Sequence, residues 1–157
     1  MEKEIDKEEI KSNENTLTKS FEENLKKEIL NYSNETNTDI FIYSGPIGYT
    51  ETGNPQEQPK LLPELFINTI IGKNNKKDNC LLFLTTYGGN PDFAYKIAAV
   101  LKNAYKTYSV VICGYCKSAG TLICLGAKKL FFSDKGEIGP LDIQTKKQNN
   151  FLKVNQV

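Results

Sequence analysis

The chain reads as an α/β domain with a mostly parallel sheet, and three features of the sequence predict it. Short β-branched or apolar runs alternate with longer stretches of helical periodicity, in the order strand, helix, strand, helix, strand, helix, strand. The run from Cys80 to Thr86 is nearly continuous in apolar residues, the pattern of a parallel strand covered on both faces. Two turns of small residues, Tyr87-Gly88-Gly89-Asn90-Pro91 and Lys117-Ser118-Ala119-Gly120-Thr121, each follow such a run and precede a helix.

Taken in order, residues 1–36 carry many charges and few large apolar groups, and read as an extension. Within it Ile10, Leu17, Phe21, Leu25, Ile29 and Leu30 recur at helical spacing, which predicts a narrow amphipathic helix from about Thr16 to Tyr32. The polar segment Asn31 to Thr38 reads as a linker. Residues 37–145 form the domain. Asp39 to Ser44 is its first strand, ended by Gly45-Pro46, and Thr50 to Pro59 is an exposed loop punctuated by Gly and Pro. Leu61 to Ile71 is a helix with Leu62, Leu65, Phe66, Thr69 and Ile70 on one face, closed by the charged turn Gly72 to Asn79.

Cys80 to Thr86 is the second strand. Pro91 and Asp92 start the next helix, with Asp92 expected to cap it, and Phe93, Ile97, Val100, Leu101 and Ala104 point inward as far as Tyr105. Ser109 to Cys113 is the third strand. The Ser118 turn follows, then an apolar helix to Gly126 that Lys128 and Lys129 finish. Leu130 to Phe132 is the last strand, Gly136 to Pro140 a turn, and residues 146–157 a polar tail.

The 157 residues suffice for one ordinary domain with a sizeable core. With 20 basic and 19 acidic residues the net charge is +1, so composition gives no case for nucleic acid. No run reaches the roughly 18 apolar residues of a membrane span, which leaves surface association with a membrane open. The charged start lacks a signal-peptide core, so the expected location is cytoplasmic. Cys80, Cys113, Cys116 and Cys124 fall in apolar contexts and read as reduced, buried thiols. Cys113 and Cys116 form a C-x-x-C, but with no second such pair and no histidine there is no zinc set, and no metal or cofactor is expected.

In open α/β sheets ligands bind beyond the carboxyl ends of the strands, and both small-residue turns lie at that edge. Gly88 and Gly89 let the backbone turn tightly and bring N–H groups close to a ligand. Ser118 offers a hydroxyl, and Ala119 and Gly120 let a helix start close to the sheet in a field that favours negative charge. Taken alone, Gly-Gly is a tight turn and Ser118 an N-cap. Taken together, they read as a nucleophile beside an oxyanion hole.

These turns, with Gly139-Pro140-Leu141-Asp142 after them and Ser118 thirty positions after Gly88, resemble the Clp/crotonase-like serine peptidases. Within these the chain is most similar to the serine dehydrogenase proteinase family, relatives of signal peptide peptidase A and of the Clp protease proteolytic subunit. The resemblance runs from about Asp39 to Gln144. It implies a repeated β-β-α core, peptide-bond hydrolysis through an acyl-enzyme, a protein or peptide substrate and a homo-oligomer. It also implies Ser118 as nucleophile, Gly89 and Ala119 as oxyanion-hole amides, and Gly88 and Gly120 as the site shell, with Gly114 on the approach to the turn.

The chain has no histidine, so a Ser-His-Asp triad is excluded and a Ser-Lys pair is the expected arrangement. The resemblance places that lysine on a helix expected beyond Val157. Lys117 adjoins Ser118, but successive side chains point apart. Lys128 and Lys129 suit a helix end, and Lys146, Lys147 and Lys153 lie in the polar tail, where nothing promises the desolvation a lysine base needs. A non-catalytic binding or assembly subunit is the alternative reading. A crotonase-type acyl-CoA enzyme is disfavoured because neither turn carries a suitably placed acid.

Overall fold

A computed structural model describes residues 7–49 and 60–141, with side chains from residue 18 onward. The expected loop Thr50–Pro59, the end of the domain from Asp142, and the 146–157 tail lie outside the described residues.

Helix α1 spans Lys7–Glu35 and so runs longer at both ends than the stripe predicts. The expected linker is largely helical. The real break is at Asn37, whose φ of 48° places it in the left-handed region. The Ser33 hydroxyl donates to the Thr38 carbonyl (2.7 Å), and the Lys77 ammonium reaches Ser33 Oγ (2.7 Å) and Asn34 Oδ1 (2.8 Å). These bonds pin the end of α1 to the start of the sheet.

Strands β1 (Thr38–Ser44), β2 (Asn79–Thr85), β3 (Thr107–Ile112) and β5 (Lys129–Phe132) form one parallel sheet in the order β1-β2-β3-β5. Each strand lies beside its neighbour in sequence, which sets the crossover helices α2 (Leu62–Gly72), α3 (Pro91–Ala104) and α4 (Ala119–Leu125) side by side, α2 against α3 and α3 against α4. Each main strand then continues into a short extended piece. Ile47 bridges Gly89, Thr86 bridges Cys116, and β4 (Tyr115–Cys116) pairs in parallel with β6 (Glu137–Ile138). The expected turn at Gly136–Pro140 therefore contains a strand. The β-β-α unit is plainest in β3-β4-α4.

The core lies between the sheet and α2–α4. Tyr43, Cys80, Leu82, Leu84, Tyr108, Val110 and Ile112 point into it, as do Ala94, Ile97 and Leu101 of α3, with Phe93, Val100 and Ala104 packed at its margin. On α2 the inward face is Pro63, Phe66 and Ile70, whereas Leu65 and Thr69 are exposed. Pro63 sits buried in the first turn of the helix, and positions three and seven residues further on follow it inward.

The opposite sheet face departs from the double cover expected for β2. Register aligns Ile42, Phe83, Val111 and Phe131 in one apolar row across all four strands. Among the described residues only α1 approaches it, with Ile29 and Tyr32 lining a gap over Leu81, Phe83 and Phe131, and Ile42 remains 69% exposed. Cys113 also departs from expectation, since it is exposed just past β3, while Cys80, Cys116 and Cys124 are buried. The C-x-x-C is not a pair: Cys116 Sγ lies 3.5 Å from Cys124 Sγ.

At the amino edge of the sheet, Asp39 is 4% exposed and fully partnered. It accepts hydrogen bonds from the Tyr105 hydroxyl (3.0 Å) and the Lys77 N–H (3.1 Å), and faces the Lys73 ammonium at 3.5 Å. Burial, and then this bond to Asp39, push the Tyr105 phenol well above its ordinary range. One carboxylate thus ties β1 to the turn before β2 and to the end of α3.

Asp39→Ala leaves a buried hydroxyl and N–H unpaired and is expected to cost about 2 kcal/mol in denaturant unfolding, with Tyr105→Phe costing about 1. Burial, helped by the Asp39 charge, pushes the Cys80 thiol up to about 12, and burial pushes the Tyr43 phenol up to about 12. Both folded values are raised, so the stability these groups contribute is complete below their ordinary pKa values. It is lost as pH climbs through the window up to about 12. Melting temperature measured from neutral to alkaline pH is expected to fall across that window, and less steeply in Tyr43→Phe.

Candidate functional site

The two turns meet at the carboxyl edge. Thr86, just past β2, is locked on both sides: its N–H donates to the Tyr115 carbonyl (3.0 Å) and its carbonyl accepts from the Lys117 N–H (2.9 Å). Its buried hydroxyl accepts from the Gly88 N–H at 3.0 Å. The Ile47 N–H donates to the Gly88 carbonyl and the Asn90 N–H to the Ile47 carbonyl, both at 2.8 Å. Between these anchors Gly88 and Gly89 take φ values of 99° and 140°, which glycine alone adopts without strain.

Space selects glycine as firmly as conformation does. A Cβ on Gly88 would stand 2.7 Å from Ser118 Cβ, 2.8 Å from the Lys117 carbonyl and 3.0 Å from the Ala119 nitrogen. One on Gly89 would strike the Ile47 carbonyl oxygen, and one on Gly120 would meet Thr86 Cγ2 at 2.5 Å and Cys116 Sγ at 2.9 Å. Gly88, Ser118, Ala119 and Gly120 are thereby brought together. Gly114, also expected near the approach, sits close to Thr85 instead.

Ser118 occupies the N-cap position of α4 with φ 48° and ψ −121°, and its hydroxyl makes no cap hydrogen bond. The capping alternative therefore fails for Ser118. It holds at Asn90, whose Oδ1 accepts from the N–H groups of Asp92 (2.8 Å) and Phe93 (3.4 Å), so Asn90, and not Asp92, caps α3. A non-glycine residue at positive φ costs on the order of 1 kcal/mol or more and persists only where its surroundings impose it. Here the Thr121 N–H bonds the Ser118 carbonyl (2.9 Å), the Gly120 N–H bonds the Lys117 carbonyl (2.9 Å), and the Gly139 N–H bonds the Cys116 carbonyl (2.8 Å). Thr121 Oγ1 donates to the Gly139 carbonyl at 2.9 Å, bracing the turn against the strip that contains β6. Among the described residues the N–H groups of Gly89 and Ala119 donate to nothing.

Among the described residues no base is hydrogen-bonded to the hydroxyl. Lys117 turns to Glu137, Nζ to Oε2 at 2.6 Å, and that bond holds the Glu137 carboxyl below its ordinary range. Lys129 opens β5 beside Ser109, and Lys128 hangs from the Tyr108 carbonyl, so both lie toward the amino edge rather than ending α4, which stops at Leu125. Behind the turn, Cys116 is lowered by its hydrogen bond with Cys124, while the same bond, and then burial, raise Cys124. Lys146, Lys147 and Lys153 lie outside the described residues. Among the described residues no three metal-ligating side chains gather, and no helix is long and apolar enough to cross a membrane.

Three contributors were not foreseen: the Ile47 brace, Glu137 as partner of Lys117, and a stack of Tyr87 on Tyr115 with ring centroids 3.8 Å apart. A tyrosine precedes each turn, Tyr87 by one residue and Tyr115 by three, and that repetition was the available signal.

No protein-family model matches the chain, and no curated protein sequence does. Solved structures do. ClpP1 from Listeria monocytogenes is 23% identical with a TM-score of 0.43, over 59% of this chain and 48% of that one. The ClpP protease catalytic domain from Plasmodium falciparum is 12% identical with a TM-score of 0.44, over 59% of this chain and 53% of that one. The chain spans about half the length of these structures.

Gly88→Ala combines positive φ with a 2.7 Å clash and is expected to destabilise the fold by about 2 kcal/mol or more in chemical denaturation. Gly72→Ala, where a Cβ meets nothing within 4 Å, is expected to be neutral or slightly stabilising.

Proposed function

We propose that the chain is a serine peptidase of the Clp/crotonase-like kind, similar to the serine dehydrogenase proteinases, that cleaves peptide bonds through an acyl-enzyme on Ser118. The observation that carries this reading is the Ser118 turn itself: a serine at strained backbone angles whose Cβ packs against Gly88 and whose hydroxyl does not cap α4, beside two N–H groups with no partner among the described residues. Strain of this kind collects at working sites. Ser118 Oγ attacks the carbonyl carbon of the scissile bond. The developing oxyanion takes hydrogen bonds from the Gly89 and Ala119 N–H groups, the amine leaves, and water releases the acyl group.

The proton of Ser118 needs a base, and a lysine amine is the expected one. Lys117 is engaged by Glu137, so the proposal draws the lysine from outside the described residues. Self-association belongs to the same proposal. The row Ile42, Phe83, Val111 and Phe131 is apolar and only partly covered, which suits a homo-oligomer acting in the cytoplasm on a protein or peptide.

A second reading, a non-catalytic binding or assembly subunit, is favoured by two facts: the chain has no histidine, and its lysine nearest in sequence to Ser118 is ion-paired. A fluorophosphonate separates the two. Across concentrations that span self-association, the intact chain is expected to gain one phosphonyl group, mapped to Ser118 by peptide mass and absent in Ser118→Ala. No adduct at any concentration, in this chain and in one extended past Val157, with peptide binding retained, decides for the binding subunit.

A further inference from the structure

Beside the Ser118 turn, between the end of β1, the start of α2 and the Tyr87–Tyr115 pair, lies a cavity of about 580 Å³. Its walls include Pro46, Tyr49, Leu62, Tyr87 and Tyr115, with Ser44 at the end of β1. Among the described residues, the side chains that line it include no charged group. Tyr87 and Tyr115 stack at an interplanar angle of 17°, and Tyr87 is 71% exposed. Two stacked rings held this way present a flat, rigid wall with little side-chain entropy left to lose.

This wall is built into the site. Tyr87 is followed at once by Gly88 and Gly89, and Tyr115 belongs to β4, whose carbonyl fixes Thr86 and whose next residues form the Ser118 turn. A chain held at the free Gly89 N–H would pass the tyrosine pair. Gly45, at φ 136°, lets the Leu62 side chain pack directly on the backbone of the cavity wall, with Leu62 Cδ1 2.8 Å from where a Gly45 Cβ would stand.

We infer that this cavity is a subsite for an uncharged aromatic side chain of the bound peptide, seated against the Tyr87–Tyr115 stack. The inference rests on the reading of the Ser118 turn as the place where a peptide lies. Offset or edge contacts between aromatic rings are worth about 0.5–1.5 kcal/mol beyond the area they bury. An ammonium or carboxylate would give up hydration with no opposite charge in the lining to meet it.

The chain has no tryptophan, so the indole fluorescence of a capped Gly-Gly-Trp-Gly-Gly peptide reports the peptide alone. Binding is measured on Ser118→Ala, which makes it independent of turnover. The peptide is expected to bind, a Phe counterpart to compete, and Lys and Glu counterparts to compete at least about tenfold more weakly. Tyr115→Ala is expected to weaken binding about tenfold, and Tyr115→Phe, which keeps the ring, to preserve it. Both variants are checked for folding by circular dichroism, and Tyr87→Ala replaces any that fails. No binding, equal competition by Lys or Glu, or unchanged affinity in the alanine variant overturns the subsite. Fluorophosphonate labelling of the parent chain decides the catalytic reading separately: labelling without aromatic preference removes only the subsite, and binding without labelling removes only the catalysis.

Discussion

The contact between Gly88 and the Ser118 turn is the constraint on which the rest of the site depends. Gly88 approaches so closely that a single added carbon would overlap Ser118 Cβ, the Lys117 carbonyl and the Ala119 nitrogen at once. For that approach the Thr86 hydroxyl must hold the Gly88 N–H, and Ile47 must hold the backbone on either side of Gly89. With the glycine turn pinned, the serine turn has one place to go, and it goes there at positive φ. The strain at Ser118 is thus sustained by hydrogen bonds made elsewhere, mostly by backbone groups.

The sheet delivers this contact through its order. Parallel strands in sequential order put α2, α3 and α4 side by side and bring the ends of β2 and β3 together at one edge. The same order leaves the other face without crossover helices. That accounts for the open row of Ile42, Phe83, Val111 and Phe131. Asp39 organises the amino edge as the glycine contact organises the carboxyl edge.

The main elements were legible because their patterns are long enough to read. The apolar run at Cys80–Thr86 and the 3.6-residue rhythm of Phe93, Ile97, Val100 and Leu101 leave few alternatives. What escaped was short or set by tertiary contact. Strands β4 and β6 have two residues each, too few for alternation to show. The α2 face rotated because Pro63 sits buried in its first turn, and the end of α1 outlasted its apolar stripe because Lys77 holds Ser33 and Asn34. At the site, residue types and spacing pointed to Ser118, Gly88, Gly89, Ala119 and Gly120 as neighbours. The failure of Ser118 to cap its helix, and the diversion of Lys117 to Glu137, depend on side-chain geometry that no spacing encodes.

The central claim is that Ser118 is held in an unfavourable conformation for the sake of its hydroxyl. Its most direct test is the unfolding free energy of Ser118→Gly. Glycine adopts φ 48° freely, and the hydroxyl it removes makes no cap bond. The account predicts a variant more stable by about 1 kcal/mol, with all fluorophosphonate reactivity gone. A variant less stable than the parent would show that the serine supports the fold, and would contradict the claim.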